Sequence, residues 1–185
     1  MSNETTKLVN LFLGVGGIAL QTVMVLVALL LVINWKNKKP NAVLAFIHEH
    51  FFALGFVLSV MPLIFSLFYS EVLNYVPCYH CWIHRIFLYP QTFLFAVAWI
   101  RKDRNVFWYS WPLLVAGTLD SLYLNYKYYF NPFSSPCDAS GVSCAQRLVS
   151  EFGGYISIPS LALTSFLSLI LLLLVAQYYK NENEY

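Results

Sequence analysis

The sequence predicts an all-α integral membrane protein: a four-helix transmembrane bundle core with an extra N-terminal transmembrane helix, five spans in all. Three observations lead there. Of 185 residues, 59% are hydrophobic and only 11% charged, whereas a soluble domain carries about 25% charged residues. Apolar stretches recur at the length a spanning helix needs, about 20 residues. Fifteen Phe and thirteen Tyr suit a bilayer, where aromatic rings anchor at the headgroups. The net charge of +2 gives no basic face for nucleic acid. The chain reads as one membrane domain over residues 1–185.

The first expected span, residues 8–33, is broken only by small or uncharged polar residues. A secretory signal has an apolar core of roughly 7–15 residues ending at small residues. This stretch is longer and ends in Asn34-Trp35-Lys36-Asn37-Lys38-Lys39, so it reads as a retained helix. Residues 51–69 form the second span, uncharged and with a kink expected at Pro62. The third, 82–100, holds His84, Arg85 and Pro90, and the fourth, 106–126, holds Pro112 and Asp120. The fifth, 156–179, contains the strongest apolar run, 161–176. Between them lie two loops, 70–81 and 127–155, that carry all four cysteines.

Orientation follows from where cations collect. Lys36, Lys38 and Lys39 sit in the first connection, and Arg101, Lys102 and Arg104 in the third. The positive-inside rule puts both connections in the cytoplasm. The N-terminus is then expected outside, and the C-terminus with Lys180 inside. Both cysteine loops face outward, the oxidising side where disulfides persist.

Cys78-Tyr79-His80-Cys81 directly precedes a span, and Arg85 follows four residues later. Cys81 is expected at a helix N-terminus, where unpaired N–H groups favour a thiolate. Arg85 then lies on the same face one turn deeper. A cation there stabilises the thiolate and offers hydrogen bonds to an acceptor carbonyl such as a quinone's. An arginine at membrane depth marks a functional site by default, although its side chain can instead snorkel to the headgroups. His80 and His84 are candidate proton carriers or interfacial histidines. Trp82, Phe87 and Tyr89 are expected either to line a quinone site or to form a membrane belt.

Cys137 and Cys144 are separated by six residues, too wide for a redox CxxC but comfortable for a disulfide across a Gly-containing turn. After them Ala145, Leu148, Val149 and Phe152 recur at helical spacing, as in a short helix on the membrane surface, ended by Gly153-Gly154. Taken alone, this pair reads as a loop staple. Beside the CxxC it reads as a second redox pair.

The run Pro77-Cys78-Tyr79-His80-Cys81-Trp82-Ile83-His84-Arg85-Ile86-Phe87-Leu88-Tyr89-Pro90 resembles the signature of the DsbB/BdbC disulfide-bond formation proteins, nearest to the BdbC branch. Pro136-Cys137 through Cys144, then Ile156-Ser157-Ile158-Pro159, is similar to their second loop and last helix. The resemblance runs from about Phe51 to Tyr179. It implies a quinone-dependent thiol-disulfide oxidoreductase of the bacterial cell membrane, with ubiquinone or menaquinone as cofactor. Its implied partner is a thioredoxin-like thiol oxidase of the DsbA/BdbD type.

By the resemblance, Cys78 and Cys81 are the quinone-linked pair and Arg85 and His84 belong to the quinone site. Cys137 forms the mixed disulfide with the partner, and Cys144 resolves it. Electrons run from partner dithiol to Cys137–Cys144, to Cys78–Cys81, to quinone, each thiol step being thiolate attack on a disulfide. Two departures stand out. His84 replaces the glutamine that commonly precedes the arginine, and the family core of four helices is preceded here by an additional one. Two alternatives remain open: a non-enzymatic scaffold or channel with two stapling disulfides, and a four-cysteine zinc site, for which the six-residue gap is wide.

Overall fold

A computed structural model describes residues 3–37, 41–130 and 154–183. Cys137, Cys144, the expected surface helix after them, and Lys38 and Lys39 lie outside the described residues. The elements are helical: α1 (Asn3–Asn37), α2 (Ala42–Glu49), α3 (Phe51–Leu67) with a π-helical turn (Phe68–Val72), α4 (Tyr79–Arg101), α5 (Val106–Phe130) and α6 (Ile158–Asn183). The protein is an all-α, multi-pass membrane protein.

Among the described residues, four helices are long and apolar enough to cross a membrane: Thr6–Trp35, Phe51–Val72, Tyr79–Arg101 and Ile158–Tyr178. Among the described residues, α5 is the long helix outside that group. Its 25 residues suffice in length, but Asp120, Ser121 and Asn125 make it more polar. All three make polar contacts with neighbouring residues. Large apolar side chains remain exposed around the bundle, among them Phe12, Ile86, Phe93 and Ile100. A soluble monomer rarely shows so broad an apolar surface; here it faces lipid.

Helical structure extends beyond the expected spans. The π turn carries it from α3 to Val72, into the stretch expected as loop. At the far end of that loop, α4 begins at Tyr79, so the CxxC straddles a helix start. Helix α2 was not expected; Asn41 caps it, its Oδ1 accepting from Val43 N–H at 2.9 Å. Helices α3, α4 and α5 continue through Pro62, Pro90 and Pro112.

Helix α6 is the central post, packed by α5, α3, α1 and α2. Phe166, Leu169 and Leu173 on it are fully buried against Leu88 and Phe95 of α4 and Leu114 of α5. Lipid tails are as apolar as leucine, so helices associate through close packing and interhelical hydrogen bonds. Glycines supply the close approach. A Cβ at Gly55 would fall 2.3 Å from the Phe95 ring, and one at Gly117 would fall 2.3 Å from Phe166. Polar ties include Asn125 Nδ2 donating to Pro159 O at 2.9 Å and Gln21 Nε2 donating to Thr164 Oγ1 at 2.9 Å. Such ties contribute roughly 0.6–2 kcal/mol each.

Candidate active site

The site is built where α3 ends and α4 begins. Asn74 takes a left-handed backbone, φ 56°, which asparagine tolerates better than most residues. It turns the chain back after the π turn, with Tyr75 N–H donating to Tyr69 O at 3.1 Å. Pro77 then leads into Cys78, the N-cap of α4, whose carbonyl accepts from Trp82 N–H at 3.2 Å. One helical turn brings Cys81 back over the cap, and the two free thiol sulfurs lie 2.9 Å apart. Cys78 is buried, and Cys81 is half-buried. The hydrogen bond to Cys81, reinforced by burial, pushes the Cys78 thiol up from its ordinary range.

Arg85 lies one turn below Cys81 and is buried. Its Nε donates to Ser66 Oγ at 2.9 Å, and its Nη2 donates to Ser66 O and Ser70 Oγ, both at 2.9 Å. Ser66 lies in the last turn of α3 and Ser70 on the π turn, so this irregular helix end brings three oxygens from two serines onto one cation. π turns appear frequently at functional sites. Trp82 covers the guanidinium, 5.1 Å from ring centroid to Cζ. Among the described residues Arg85 has no carboxylate partner, and its Nη1 makes no hydrogen bond.

Cys78, Cys81, His84, Arg85 and Tyr89 line one cavity of about 430 Å³, whose other walls come mainly from α1, α3 and α6. Those walls are largely aliphatic and aromatic, and the volume falls within the range of small-molecule sites, about 300–1,000 Å³. The Tyr89 hydroxyl is buried without a hydrogen-bond partner. A buried hydroxyl and a free guanidinium nitrogen, one helical turn apart, are two donors waiting for an acceptor.

Behind the cavity, Asp120 of α5 is bracketed by two histidines of α4. His80 Nδ1 is 2.8 Å from Asp120 Oδ1. His84 Nε2 is 3.1 Å from Oδ2, an ion-pair contact off the line of a hydrogen bond, and is shared with Ser121 Oγ at 3.0 Å. His84 also packs edge-on against Phe166, centroids 5.8 Å apart. A histidine that lines the cavity is thus connected through one carboxylate to the histidine inside the CxxC.

The family described as Disulfide bond formation protein DsbB matches residues 48–176, more than half of the chain. The chain belongs to the DsbB family. Curated relatives include the Probable disulfide formation protein C 2 of Bacillus anthracis, 30% identical over 138 residues, 75% of this chain and 98% of that one. The Disulfide bond formation protein C of Bacillus subtilis (strain 168) is 31% identical over 134 residues, 71% of this chain and 96% of its own. A Probable disulfide formation protein of Oceanobacillus iheyensis is 37% identical over 130 residues, 67% and 86% of the two chains. No solved structure matches. As a DsbB-family member, the chain is a membrane oxidoreductase of disulfide bond formation.

Within this DsbB-family chain, the structure brings Cys78, Cys81, His84 and Arg85 to one cavity. Cys137 and Cys144 lie outside the described residues. Of the three aromatic candidates, Tyr89 lines the cavity, Phe87 packs against the core, and Trp82 lies exposed against Arg85. Sequence reasoning noted Asp120 only as a polar interruption. An aspartate inside a membrane-length apolar segment was itself the available signal.

Proposed function

We propose that this protein reoxidises a thioredoxin-like thiol oxidase outside the cytoplasmic membrane and delivers the electrons to a membrane quinone. One observation carries the reading: the Cys78–Cys81 pair and an arginine without a carboxylate partner among the described residues share one apolar cavity at the end of a membrane-length helix. The cavity fits the group. Its walls suit a ring and isoprenoid tail, and Arg85 Nη1 and the Tyr89 hydroxyl are the donors that would hold the ring carbonyls. When bound, a quinone supplies an acceptor for two electrons and two protons.

The residues then divide the work. A partner thiolate attacks Cys137 and expels Cys144 as a thiolate; the partner's second thiol then attacks the mixed disulfide and expels Cys137, so the partner leaves as a disulfide and Cys137 and Cys144 are left as a dithiol. The resulting dithiol reduces Cys78–Cys81, so electrons balance pair for pair. Closing Cys78 and Cys81 to a disulfide releases two protons, and Cys78 holds one of them as a thiol. His84, on the cavity wall, takes up a proton at its ring, and Asp120 stabilises the imidazolium that forms. His80 is fixed by the same carboxylate. Such a cluster can hold a charge that no lone buried histidine would tolerate.

The five-span topology belongs to this reading. With α5 spanning, Lys36 and Arg101, Lys102 and Arg104 fall on the cytoplasmic side, and both cysteine loops fall on the other. The N-terminus is then outside and the C-terminus inside. The test is quinone reduction by purified protein supplied with a reduced thioredoxin-like partner. Stoichiometric quinone reduction supports the reading. Partner oxidation with no quinone consumed refutes it.

A further inference from the structure

We infer that α1, the additional N-terminal helix, is the outer wall of the quinone pocket, and that Gly16 sets the size of quinone the pocket admits. This rests on the quinone reading above. The family match begins at residue 48, after α1 has ended. Yet Phe12, Leu13, Gly16, Gly17 and Leu20 of α1 all line the cavity. Their spacing of one, three, one and three residues places them on a single helical face. The helix therefore turns one continuous strip toward the site.

Two adjacent glycines on that strip do different jobs. At Gly17 a Cβ would fall 2.6 Å from Leu161 Cδ2, so the missing side chain lets α1 press against α6. The hydrogen bond of Gln21 to Thr164 fixes the same docking, and that of the Tyr69 hydroxyl to Asn10 ties α1 to the π turn. At Gly16 a Cβ would meet nothing within 4 Å. Gly16 is exposed at the edge of the cavity it lines, so the open space beside it belongs to the cavity's rim. Neighbouring Phe12 meets Phe65 of α3 with ring centroids 6.1 Å apart, joining the two helices across the pocket. Helix α1 is thus held close enough to enclose the pocket, and the absent side chain of Gly16 leaves the room.

A glycine mid-helix is less favourable than alanine, so Gly16 has a local cost that packing at that position does not explain. Any side chain placed there would project into the space a quinone ring or its first isoprene unit would occupy. A bulkier residue at Gly16 should discriminate most against a bicyclic naphthoquinone and least against a benzoquinone.

The experiment uses the full chain in lipid nanodiscs. Dissociation constants for a short-tailed benzoquinone and a short-tailed naphthoquinone are measured by tryptophan fluorescence quenching. Variants are Gly16→Leu, Gly16→Ala and, as an outward-facing control, Val15→Ala. The rate at which dithiothreitol reduces Cys78–Cys81 checks the fold in each. Gly16→Leu should raise the naphthoquinone Kd by about tenfold or more, the scale on which overpacking a filled site acts. The benzoquinone Kd should rise less, and Val15→Ala should match wild type.

Should Gly16→Leu fail to fold, Gly16→Ala, which strengthens a helix, must still weaken naphthoquinone more than benzoquinone. Wild-type affinities in both Gly16 variants overturn the assignment of α1 while leaving the quinone reading intact. Weakening by Val15→Ala to the same degree reduces α1 to a scaffold and overturns Gly16 as the determinant. Wild-type protein that binds neither quinone overturns the quinone reading itself, and this inference with it.

Discussion

Replacing Arg85 with methionine separates the two halves of the proposed relay. The side chain keeps its apolar length, so the cavity wall survives, but the cation is lost. In the structure Nε and Nη2 are committed to Ser66 and Ser70, which leaves Nη1 for a bound carbonyl. One charge-assisted hydrogen bond contributes about 1.5–3 kcal/mol, so quinone affinity should fall roughly tenfold to over a hundredfold. Ser70 Oγ retains a weak bond to Ser66 O at 3.3 Å, so the loss of fold stability should stay within about 1–3 kcal/mol. Arg85→Lys keeps the charge without the planar fork and should fall between wild type and Arg85→Met.

The assay measures quinone Kd and the rate of disulfide exchange with the thioredoxin-like partner on the same preparations. Exchange should change far less than Kd, because the partner-facing cysteines are distant in sequence from Arg85. An unchanged quinone Kd in Arg85→Met would mean that Nη1 faces nothing, and Arg85 would revert to an anchor for α3 and the π turn. Equal losses in both measurements would show that the substitution disturbs the whole bundle, and the reasoning from Nη1 would fail.

Cys78→Ser and Cys81→Ser should each abolish quinone reduction while leaving membrane insertion intact, as membrane fractionation and turnover on one preparation will show; turnover in either variant refutes the pair. Asp120→Asn should slow oxidation of the Cys78–Cys81 dithiol by about a hundredfold, the lower end of what positioned proton transfer contributes. It should also alter the pH–rate profile in stopped flow while leaving quinone Kd in place; an unchanged profile makes Asp120 a purely structural tie. Cys144→Ala should accumulate a mixed disulfide with the partner, visible as a heavier band on non-reducing gels, and Cys137→Ala should not. The reverse pattern would exchange attacker and resolver.

The redox pair and its arginine were legible in sequence because their relation is local. Residues 78, 81 and 85 sit within two helical turns, and the start of a membrane helix fixes how they face each other. The helix at the CxxC begins at Tyr79, three residues before the expected span, because polar His80 interrupts the apolar signal there. The part played by Asp120 was not legible. It meets His80 and His84 from another helix, 40 and 36 positions away in sequence, and only the rotation of α5 against α4 decides that meeting. Helix α1 was visible as a helix, but its place on the cavity depends on two glycines whose different surroundings exist only after packing. The π turn was hidden for a similar reason, since residues 68–72 carry no pattern that distinguishes a widened turn from loop.

The tie between His80 and Asp120 limits how this redox centre can be altered. A CxxC motif shifts the pKa of its thiols, so the two intervening residues are natural positions at which to tune the pair. Here one of those two positions is a rivet between α4 and α5. Grafting another dipeptide between Cys78 and Cys81 would shift the redox balance and loosen the bundle together, leaving Tyr79, exposed on the other side of the turn, as the position free for adjustment.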